Sequence, residues 1–224
     1  MIPTYKTLNT TGLIEAFIDE PFVDVASYSN GLILVDMQYF KHKCKGAINV
    51  AYVRKSVADM LIKAAHTLPD GMHIKVWDAW RSMETQEYLY NQYYNKIKQE
   101  YPYLKDPELT ERVEQFISKP GHNYLHGTGG AIDVTLVDDN GNDLNMGTQF
   151  DEFNNKTRTD YFEHRYNMRI LFNRRILYNV MCESGFVNNP EEWWHFDYGD
   201  ALWAAITSNN VKYKTVLEIG GINV

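Results

Sequence analysis

The sequence predicts an α+β fold in which helices surround a small, mostly antiparallel sheet. Three observations lead to this prediction. Short apolar segments bounded by turn residues indicate strands, and longer segments with apolar residues at i, i+3, i+4 and i+7 indicate helices. The chain of 224 residues has no internal repeat and no Gly/Ser-rich linker, so a single domain over 1–224 is expected. A chain of this length buries roughly 70–75% of its unfolded surface, enough for a core of its own.

The strand-like segments are short, and the clearest of them is 131–137. Its aliphatic residues alternate with Ala131, Asp133 and Thr135, so Asp133 points away from the aliphatic face. Asp139-Asn140-Gly141 follows directly and predicts a hairpin-type turn. The predicted strands cover 22–25, 32–37, 74–80, 131–137 and 193–198.

The helical segments carry start and stop signals. Ser56 followed by Asp59 resembles a capping box, and Pro69 ends the apolar pattern that comes after them. Asp106-Pro107 suits an N-cap and first helical position, and Gly185 suits the position after a helix. The predicted helices cover 56–68, 83–98, 106–117, 162–184 and 201–207, and 13–18 is expected to be a short amphipathic turn.

Composition excludes several classes of protein. The formal charge of −7 argues against a nucleic-acid binder, and the longest apolar runs, such as 32–35, are far too short to span a membrane. The two cysteines allow at most one disulfide. Aromatic residues reach 14%, with 16 Tyr and 5 Trp, which indicates either a lined pocket or an aromatic core. Residues 1–11 lack the order of a secretory signal, which leaves a cytoplasmic or a periplasmic location open.

A glycine-rich segment, His126-Gly-Thr-Gly-Gly-Ala-Ile-Asp133, is the first candidate for chemistry. The glycines allow a sharp turn, so His126 can fold back over the start of the strand that bears Asp133. An imidazole nitrogen and a carboxylate oxygen that converge in this way suit zinc, although a structural role for both is the alternative.

The second segment, Glu191-Glu192-Trp193-Trp194-His195, supplies a possible third ligand. A His/Asp/His set leaves the fourth position of a tetrahedral zinc ion open for water, as catalysis requires. Strict strand alternation places Glu191 on the face of His195, and Glu192 on the other face unless the chain turns after Pro190. The alternative is a solvated acidic pair ahead of a core strand.

Two further segments carry single candidate residues. Arg81 follows a predicted aromatic strand and could stabilise an oxyanion, or could form a surface ion pair. Asp151 ends the segment 145–151 and could bind a substrate ammonium group, or lie in an ordinary loop. His42, His66, His73, His122 and His164 have no partner at a ligand spacing.

Together these segments resemble the VanX-type zinc D-alanyl-D-alanine dipeptidases, within the wider group of zinc D,D- and L,D-peptidases. The family pattern Ser-x-His-x-x-Gly-x-Ala-x-Asp aligns with 124–133, and Glu-x-Trp-His aligns with 192–195. Asp-Gly-Tyr-Arg-Pro corresponds to 78–82, Met-Gly-x-x-Phe-Asp to 146–151, an early Asp-x-x-Tyr to 36–39, and a helix segment to 173–177. The likeness spans about residues 32–200, and the matching segments follow one another in the same order as in the family.

This resemblance implies a function and a role for each site residue. It implies one zinc ion per chain, in a central cleft of the α+β fold, with His126, Asp133 and His195 as ligands. It implies Glu192 as the base that activates water, which favours a turn before the last strand. Arg81 would stabilise the transition state, and Tyr39 and Asp151 would contact the amino end of a short dipeptide.

The departures from the family pattern concern the substrate rather than the zinc ligands. Tyr124 stands where the family has a serine, at a substrate-facing position, and Ala79-Trp80-Arg81-Ser82 replaces Gly-Tyr-Arg-Pro. Tyr39, Tyr124 and four tryptophans near the proposed site (Trp77, Trp80, Trp193 and Trp194) are expected to line the pocket. The alternatives are a D,D- or L,D-carboxypeptidase or endopeptidase acting on peptidoglycan, and a zinc-binding module without turnover.

Overall fold

The computed structural model describes residues 1–4, 10–114, 116–121, 124–165 and 167–220. The α+β prediction is confirmed. The strands are β1 (Phe22–Asp24), β2 (Leu34–Val35), β3 (Tyr52–Arg54), β4 (His73–Asp78), β5 (Ala131–Val137), β6 (Val187–Asn188) and β7 (His195–Asp197). The helices are α1 (Val25–Tyr28), α2 (Gln38–Lys41), α3 (Lys55–His66), α4 (Met83–Glu100), α5 (Asp106–Glu114), α6 (Met168–Ser184) and α7 (Ala201–Thr207).

The central sheet has five strands in the order β2-β4-β5-β7-β6. Only the β2–β4 pair is parallel among these strands, so the sheet is mostly antiparallel as predicted. Strands β1 and β3 form a separate antiparallel pair. In the sheet, Asp133 of β5 lies opposite His195 of β7 on one side and Asp78 of β4 on the other. The register therefore places the chemistry-bearing residues of three strands side by side.

The main core lies on the aliphatic face of β5. Helices α3 and α6 pack together over it, because each presents an apolar stripe. The buried members of this core include Val57 and Leu61 of α3, Leu177 and Met181 of α6, and Ile132, Val134 and Leu136 of β5. Asp133, on the opposite side of the pleat, is left free to face the site.

Helices α4 and α5 pack against each other around a second core. Tyr90, Tyr93 and Ile97 of α4 are buried there with two aliphatic residues of α5. The ring of Phe153 lies 5.0 Å from that of Tyr93, which joins this core to the loop after β5. Part of the tyrosine-rich region is therefore core.

Several predicted boundaries are wrong. The helix predicted over 162–184 is two elements, a 3₁₀ turn at Tyr161–His164 and then α6, whose start is capped by the Asn167 side chain accepting from the Ile170 N–H. The proposed capping box does not form. Helix α3 begins at Lys55, and Lys55 pairs with Asp59 at 2.7 Å.

Residues 13–18 are extended rather than a turn. The N–H groups of Ala16 and Ile18 donate to the carbonyls of Val211 and Lys212, each at 2.9 Å. Of the strand predicted over 32–37, only Leu34–Val35 (β2) forms. Of that predicted over 193–198, only His195–Asp197 (β7) forms. Helix α5 ends at Glu114, and residues 115 and His122 lie outside the described residues. Within the described parts of the chain, every helix is too short or too polar to cross a bilayer.

Candidate metal centre and active site

Three buried side chains that can ligate a metal converge at one end of the sheet. His126 lies in a 3₁₀ turn (Leu125–Thr128) before β5, Asp133 lies in β5, and His195 begins β7. One ligand atom from each lies within 4.8 Å of the others. His126 Nε2 is 3.2 Å from His195 Nδ1 and 3.5 Å from Asp133 Oδ2, and His195 Nδ1 is 2.9 Å from Asp133 Oδ1.

Glycine makes this convergence possible at two positions. Gly129 has φ +73°, in the left-handed region, and reverses the chain between the 3₁₀ turn and β5. A side chain at Gly127 would lie 2.5 Å from the Tyr124 ring and 2.8 Å from the Thr215 methyl group. His126 is thereby folded back beside Asp133, the arrangement expected from the spacing of the glycines.

The hydrogen bonds of the two imidazoles fit a metal ion. His126 Nδ1 donates to the Ala79 carbonyl at 2.8 Å, so its Nε2 carries the lone pair when the ring is neutral. His195 Nε2 lies 3.0 Å from Asp197 Oδ1, which leaves Nδ1 as its ligand atom. A tetrahedron with bonds of about 2.0–2.1 Å has edges of about 3.3–3.4 Å, close to the separations found here. Two nitrogens, one oxygen and an open position suit zinc.

The ionisable side chains of this cluster shift one another's pKa values. Burial alone would raise the pKa of Asp133, but His126 and His195 lower it well below its usual range. Burial would lower the pKa of His195, but Asp197 and Asp133 raise it well above the ordinary value. Without a metal, His195 therefore holds a proton that a metal ion would displace.

Glu192 lies beside this cluster, because the chain turns between Pro190 and His195. Its Oε2 is 3.4 Å from Asn189 Nδ2 and 3.8 Å from His195 Nδ1. Burial raises the pKa of Glu192 to about 8. The Glu191 side chain instead forms an ion pair with Arg158. Strand alternation did not decide which of the two glutamates lies near His195. In the structure it is Glu192 that lies beside the metal cluster.

The Arg81 side chain is only 9% exposed and is held from two sides. Its Nε and Nη2 bond Asp78 Oδ2 at 2.9 and 2.8 Å, and its Nη1 donates to Gln86 Oε1 at 2.8 Å. Nη2 also lies 3.5 Å from the Tyr39 hydroxyl and 3.9 Å from Asp133 Oδ2. Arg81 thus forms an ion pair, as the alternative had it, but with a buried carboxylate at the cavity rather than at the surface.

Asp151 and Tyr39 form a hydrogen-bonded pair at the same cavity, in which Tyr39 is buried and Asp151 is partly buried. The Tyr39 hydroxyl donates to Asp151 Oδ2 at 2.7 Å. Burial raises the pKa of Asp151 to about 7, against the lowering effect of this hydrogen bond. A carboxyl group that is close to half ionised at neutral pH lies where a substrate cation could reach it.

The Tyr124 hydroxyl donates to the main-chain carbonyl of Arg81 at 2.8 Å, and the residue is 1% exposed. Its ring still lines the cavity. Apolar residues also line the cavity, among them Leu89, Phe116, Ile117 and Phe153.

Of the six aromatic residues expected to line the pocket, Tyr39, Tyr124 and Trp194 do so. Trp77 and Trp193 instead pack within the main core, with ring centres 5.7 Å apart. Trp80 also lies outside this lining. The expectation is wrong for these three because nearness to a functional residue in sequence does not decide where a side chain packs: Trp77 and Trp193 contact each other in the core, and the Trp80 indole donates to the Val216 carbonyl.

Sequence reasoning missed the residues that hold the site residues in place. Asp78 and Gln86 bind Arg81, and Asp197 binds His195. Burial and the neighbouring Asp197 raise the pKa of Asp200 well above its usual range, so Asp200 holds a proton that it can share with Asp197. The spacing Asp78-x-x-Arg81 was the available signal for one of these contacts. The others form across the fold and leave no local pattern.

A buried His-Asp-His cluster with an open position, a neighbouring carboxyl group and a buried arginine defines a hydrolytic metalloenzyme. The family model Peptidase_M15, described as D-ala-D-ala dipeptidase, matches residues 40–214, and the chain belongs to this family. The predicted resemblance is thus confirmed, and with it the enzyme class, a metallopeptidase whose cofactor is zinc.

Two relatives that are named as D-alanyl-D-alanine dipeptidases agree with the family match. The chain is 33% identical over 175 residues to the D-alanyl-D-alanine dipeptidase of Synechocystis sp. (strain ATCC 27184 / PCC 6803 / Kazusa), covering 68% of this chain and 71% of the relative. It is 33% identical over 135 residues to that of Escherichia coli (strain K12), covering 58% of each. Among solved structures, VanYB in complex with D-Alanine-D-Alanine aligns with a TM-score of 0.49 and 15% identity, covering 91% of this chain and 92% of that one.

Proposed function

We propose that the chain hydrolyses D-alanyl-D-alanine, or a closely related short dipeptide, as a single catalytic domain with one zinc ion. His126, Asp133 and His195 would hold the metal. One observation carries the proposal: these three residues share a buried cavity with Glu192, Arg81 and Asp151. The relatives named as D-alanyl-D-alanine dipeptidases support the choice of substrate.

Glu192 is proposed as the group that moves protons. When bound, zinc supplies Lewis acidity that lowers the pKa of water toward about 7 and polarises a carbonyl group. The Glu192 carboxylate then accepts a proton from the attacking water and returns it to the leaving amine. Its Oε2 lies 3.8 Å from His195 Nδ1, beside the three residues that would hold the metal.

Arg81 is proposed to stabilise the negative charge that develops on the carbonyl oxygen. Its guanidinium is fixed in advance by Asp78 and Gln86, so little reorganisation is needed during the reaction. Removing one such donor typically costs about 10²–10³ in rate.

Asp151 is proposed to bind the free ammonium group of the dipeptide. Tyr39 orients one of its oxygens and leaves the other for the substrate. Tyr124 contributes its ring, rather than its hydroxyl, to the substrate side of the cavity. This arrangement selects peptides with a free amino end, since a blocked amine cannot pair with a buried carboxylate.

The test is D-alanine release from D-Ala-D-Ala by the zinc-loaded protein, compared with L-Ala-L-Ala, N-acetyl-D-Ala-D-Ala and a D-Ala-terminated tripeptide. We expect release only from the unblocked D,D-dipeptide, and none after chelation. Equal cleavage of the acetylated or longer peptide would replace the proposal with a carboxypeptidase or endopeptidase. Stoichiometric zinc without hydrolysis of any of these peptides would indicate a binding module.

A further inference from the structure

An extended segment, 211–217, packs against the loop that carries His126 and is named the 211–217 strap. Its first part is anchored away from the site, because the N–H groups of Lys212 and Tyr213 donate to the Gly199 carbonyl at 2.7 and 2.9 Å. Its far end reaches the metal-binding loop, where the Val216 N–H donates to the Gly127 carbonyl at 2.8 Å. The family match ends at residue 214, so this contact lies beyond the part shared with the family model.

Trp80 joins the strap to the turn that carries Arg81. It is 1% exposed, and its indole N–H donates to the Val216 carbonyl at 2.9 Å. Its own main-chain N–H donates to the Tyr52 carbonyl at 2.9 Å, which fixes the residue before Arg81. Val216 therefore accepts a hydrogen bond from Trp80, in the turn that carries Arg81, and donates one to Gly127, the residue after His126.

Tyr124 and Thr215 complete the same connection. The Tyr124 hydroxyl binds the Arg81 carbonyl, while its ring packs on Gly127. The Thr215 methyl group lies on Gly127 as well, so the glycine is enclosed by the metal loop on one side and the strap on the other. The direct hydrogen bond between the two loops, from the Arg81 N–H to the His126 carbonyl, is long at 3.4 Å.

We propose that Trp80 is a positioning residue, which acts through the 211–217 strap to fix Arg81 relative to the loop that carries His126. The indole N–H is buried and needs a partner, and Val216 is that partner. Loss of this hydrogen bond frees the strap from the Arg81 turn and weakens the contact between the strap and Gly127. A displacement of about 1 Å between groups that must act together can cost about 10²-fold in rate.

The test uses Trp80→Phe, Val216→Pro and the double variant in the full chain. Trp80→Phe removes the indole donor, and Val216→Pro removes the N–H that binds Gly127. The readouts are kcat and KM for D-Ala-D-Ala and the zinc dissociation constant from chelator competition. Ser184→Ala is the control, because it removes a buried bond from a side chain to a main-chain carbonyl, that of Val180, far from the site.

We expect each single variant to lose about 10-fold in kcat with KM within twofold, and to bind zinc about 5-fold more weakly. The double variant should lose about 10-fold rather than 100-fold, because both changes break the same connection. Ser184→Ala should lose stability and keep kcat. The expected change in kcat rests on the proposed function, whereas the expected change in zinc affinity does not.

Two results would overturn the proposal. One is additive loss in the double variant, which would mean independent packing effects. The other is unchanged zinc affinity in both single variants, which would confine Trp80 to local packing. If the parent protein fails to hydrolyse D-Ala-D-Ala, the proposed function fails, and the zinc measurements alone decide the role of the strap.

Discussion

The chemistry of the site depends on acids and imidazoles that are buried within a few ångströms of each other. Burial, together with the nearby Asp133 carboxylate, raises the pKa of Asp151 to about 7 and that of Glu192 to about 8, although Arg81 acts in the opposite direction on both. Asp133 lies between two imidazoles, and its pKa is lowered despite the same burial. The three carboxyl groups can therefore take different roles, as ammonium site, proton acceptor and metal ligand.

Binding of the substrate ammonium group should depend on the ionisation of Asp151. Because its pKa is raised to about 7, Asp151 is mostly neutral at pH 6 and mostly ionised at pH 8. We predict that the affinity of the metal-free protein for D-Ala-D-Ala, as measured by calorimetry, rises about 5-fold from pH 6 to pH 7 and no further toward pH 8, where the α-amino group of the dipeptide, with a pKa of about 8, begins to lose its proton. Asp151→Asn should bind weakly with no such rise, and a rise that persists in this variant would show that another group is responsible.

Zinc binding should release a proton from His195. In the metal-free protein the pKa of His195 is raised, so the ring is charged at neutral pH, whereas a metal ligand must be neutral. Zinc affinity should therefore increase with pH, about 10-fold per unit for each proton released between pH 6 and 7.5. Calorimetry in buffers of different ionisation enthalpy measures the number released, and a value of zero at pH 7 would contradict this account.

Much of this residue-level account could be predicted from sequence. His126, Asp133 and His195 stand in segments with specific spacing, and the structure brings them together. The choice between Glu191 and Glu192 could not be made from alternation, because it depends on a turn that ends just before His195. Asp197 and Gln86 gave no signal, since their roles come from hydrogen bonds made in the folded protein.

At the scale of elements, helix α6 organises the long loop that carries Asp151. Arg174, 2% exposed, donates from its three guanidinium nitrogens to the carbonyls of Met146, Lys156 and Arg158 at 2.7–2.8 Å. Burial lowers the pKa of Arg174 to about 9. The loop lacks regular strand or α-helical structure, so these bonds replace the ladder that would otherwise hold it.

Replacing Arg174 by lysine should destabilise the protein strongly. Lysine keeps the charge but cannot reproduce the planar fork, so at least one buried carbonyl loses its partner. We predict that Arg174→Lys lowers the free energy of unfolding by about 2–4 kcal/mol in urea denaturation. Arg169→Lys, at an exposed position of the same helix, should cost less than about 0.5 kcal/mol. Equal effects of the two changes would contradict the role given to Arg174.

Element types were easier to predict than element ends. Helix α7 and strand β5 have the predicted bounds, because each has a clear pattern between strong boundary residues. The break before α6 was missed because 163–167 contains no glycine or proline that would mark a helix end, and only the cap at Asn167 shows where the helix starts. The pairing of 13–18 with 211–212 could not be predicted, since it joins segments about 200 positions apart.

At the scale of the whole molecule, the site is assembled from parts that separate when the chain unfolds. The metal ligands come from a loop and two strands, and the 211–217 strap fastens that loop from outside. The many aromatic residues contribute to two cores as well as to the cavity. Composition alone did not decide between a lined pocket and an aromatic core. The α+β class followed from element types, whereas the strand order could not be read from them.

Because the ligands come from separate elements, zinc should stabilise the folded chain. At a free concentration 100 times the dissociation constant, we expect about 2.7 kcal/mol of additional unfolding free energy. Thermal unfolding with zinc and with chelator measures this difference. Asp133→Asn should lose most of it, while Asp139→Asn, at an exposed turn outside the metal cluster, should keep it. A zinc effect of the same size in both variants would contradict the assigned site.

The most direct test is hydrolysis of D-Ala-D-Ala by the parent protein and by Glu192→Ala, both loaded with one zinc ion. If Glu192 carries the proton in the reaction, the variant should retain stoichiometric zinc and lose turnover by at least about 10²–10⁴-fold. Turnover within a few-fold of the parent, with zinc bound, would contradict the account.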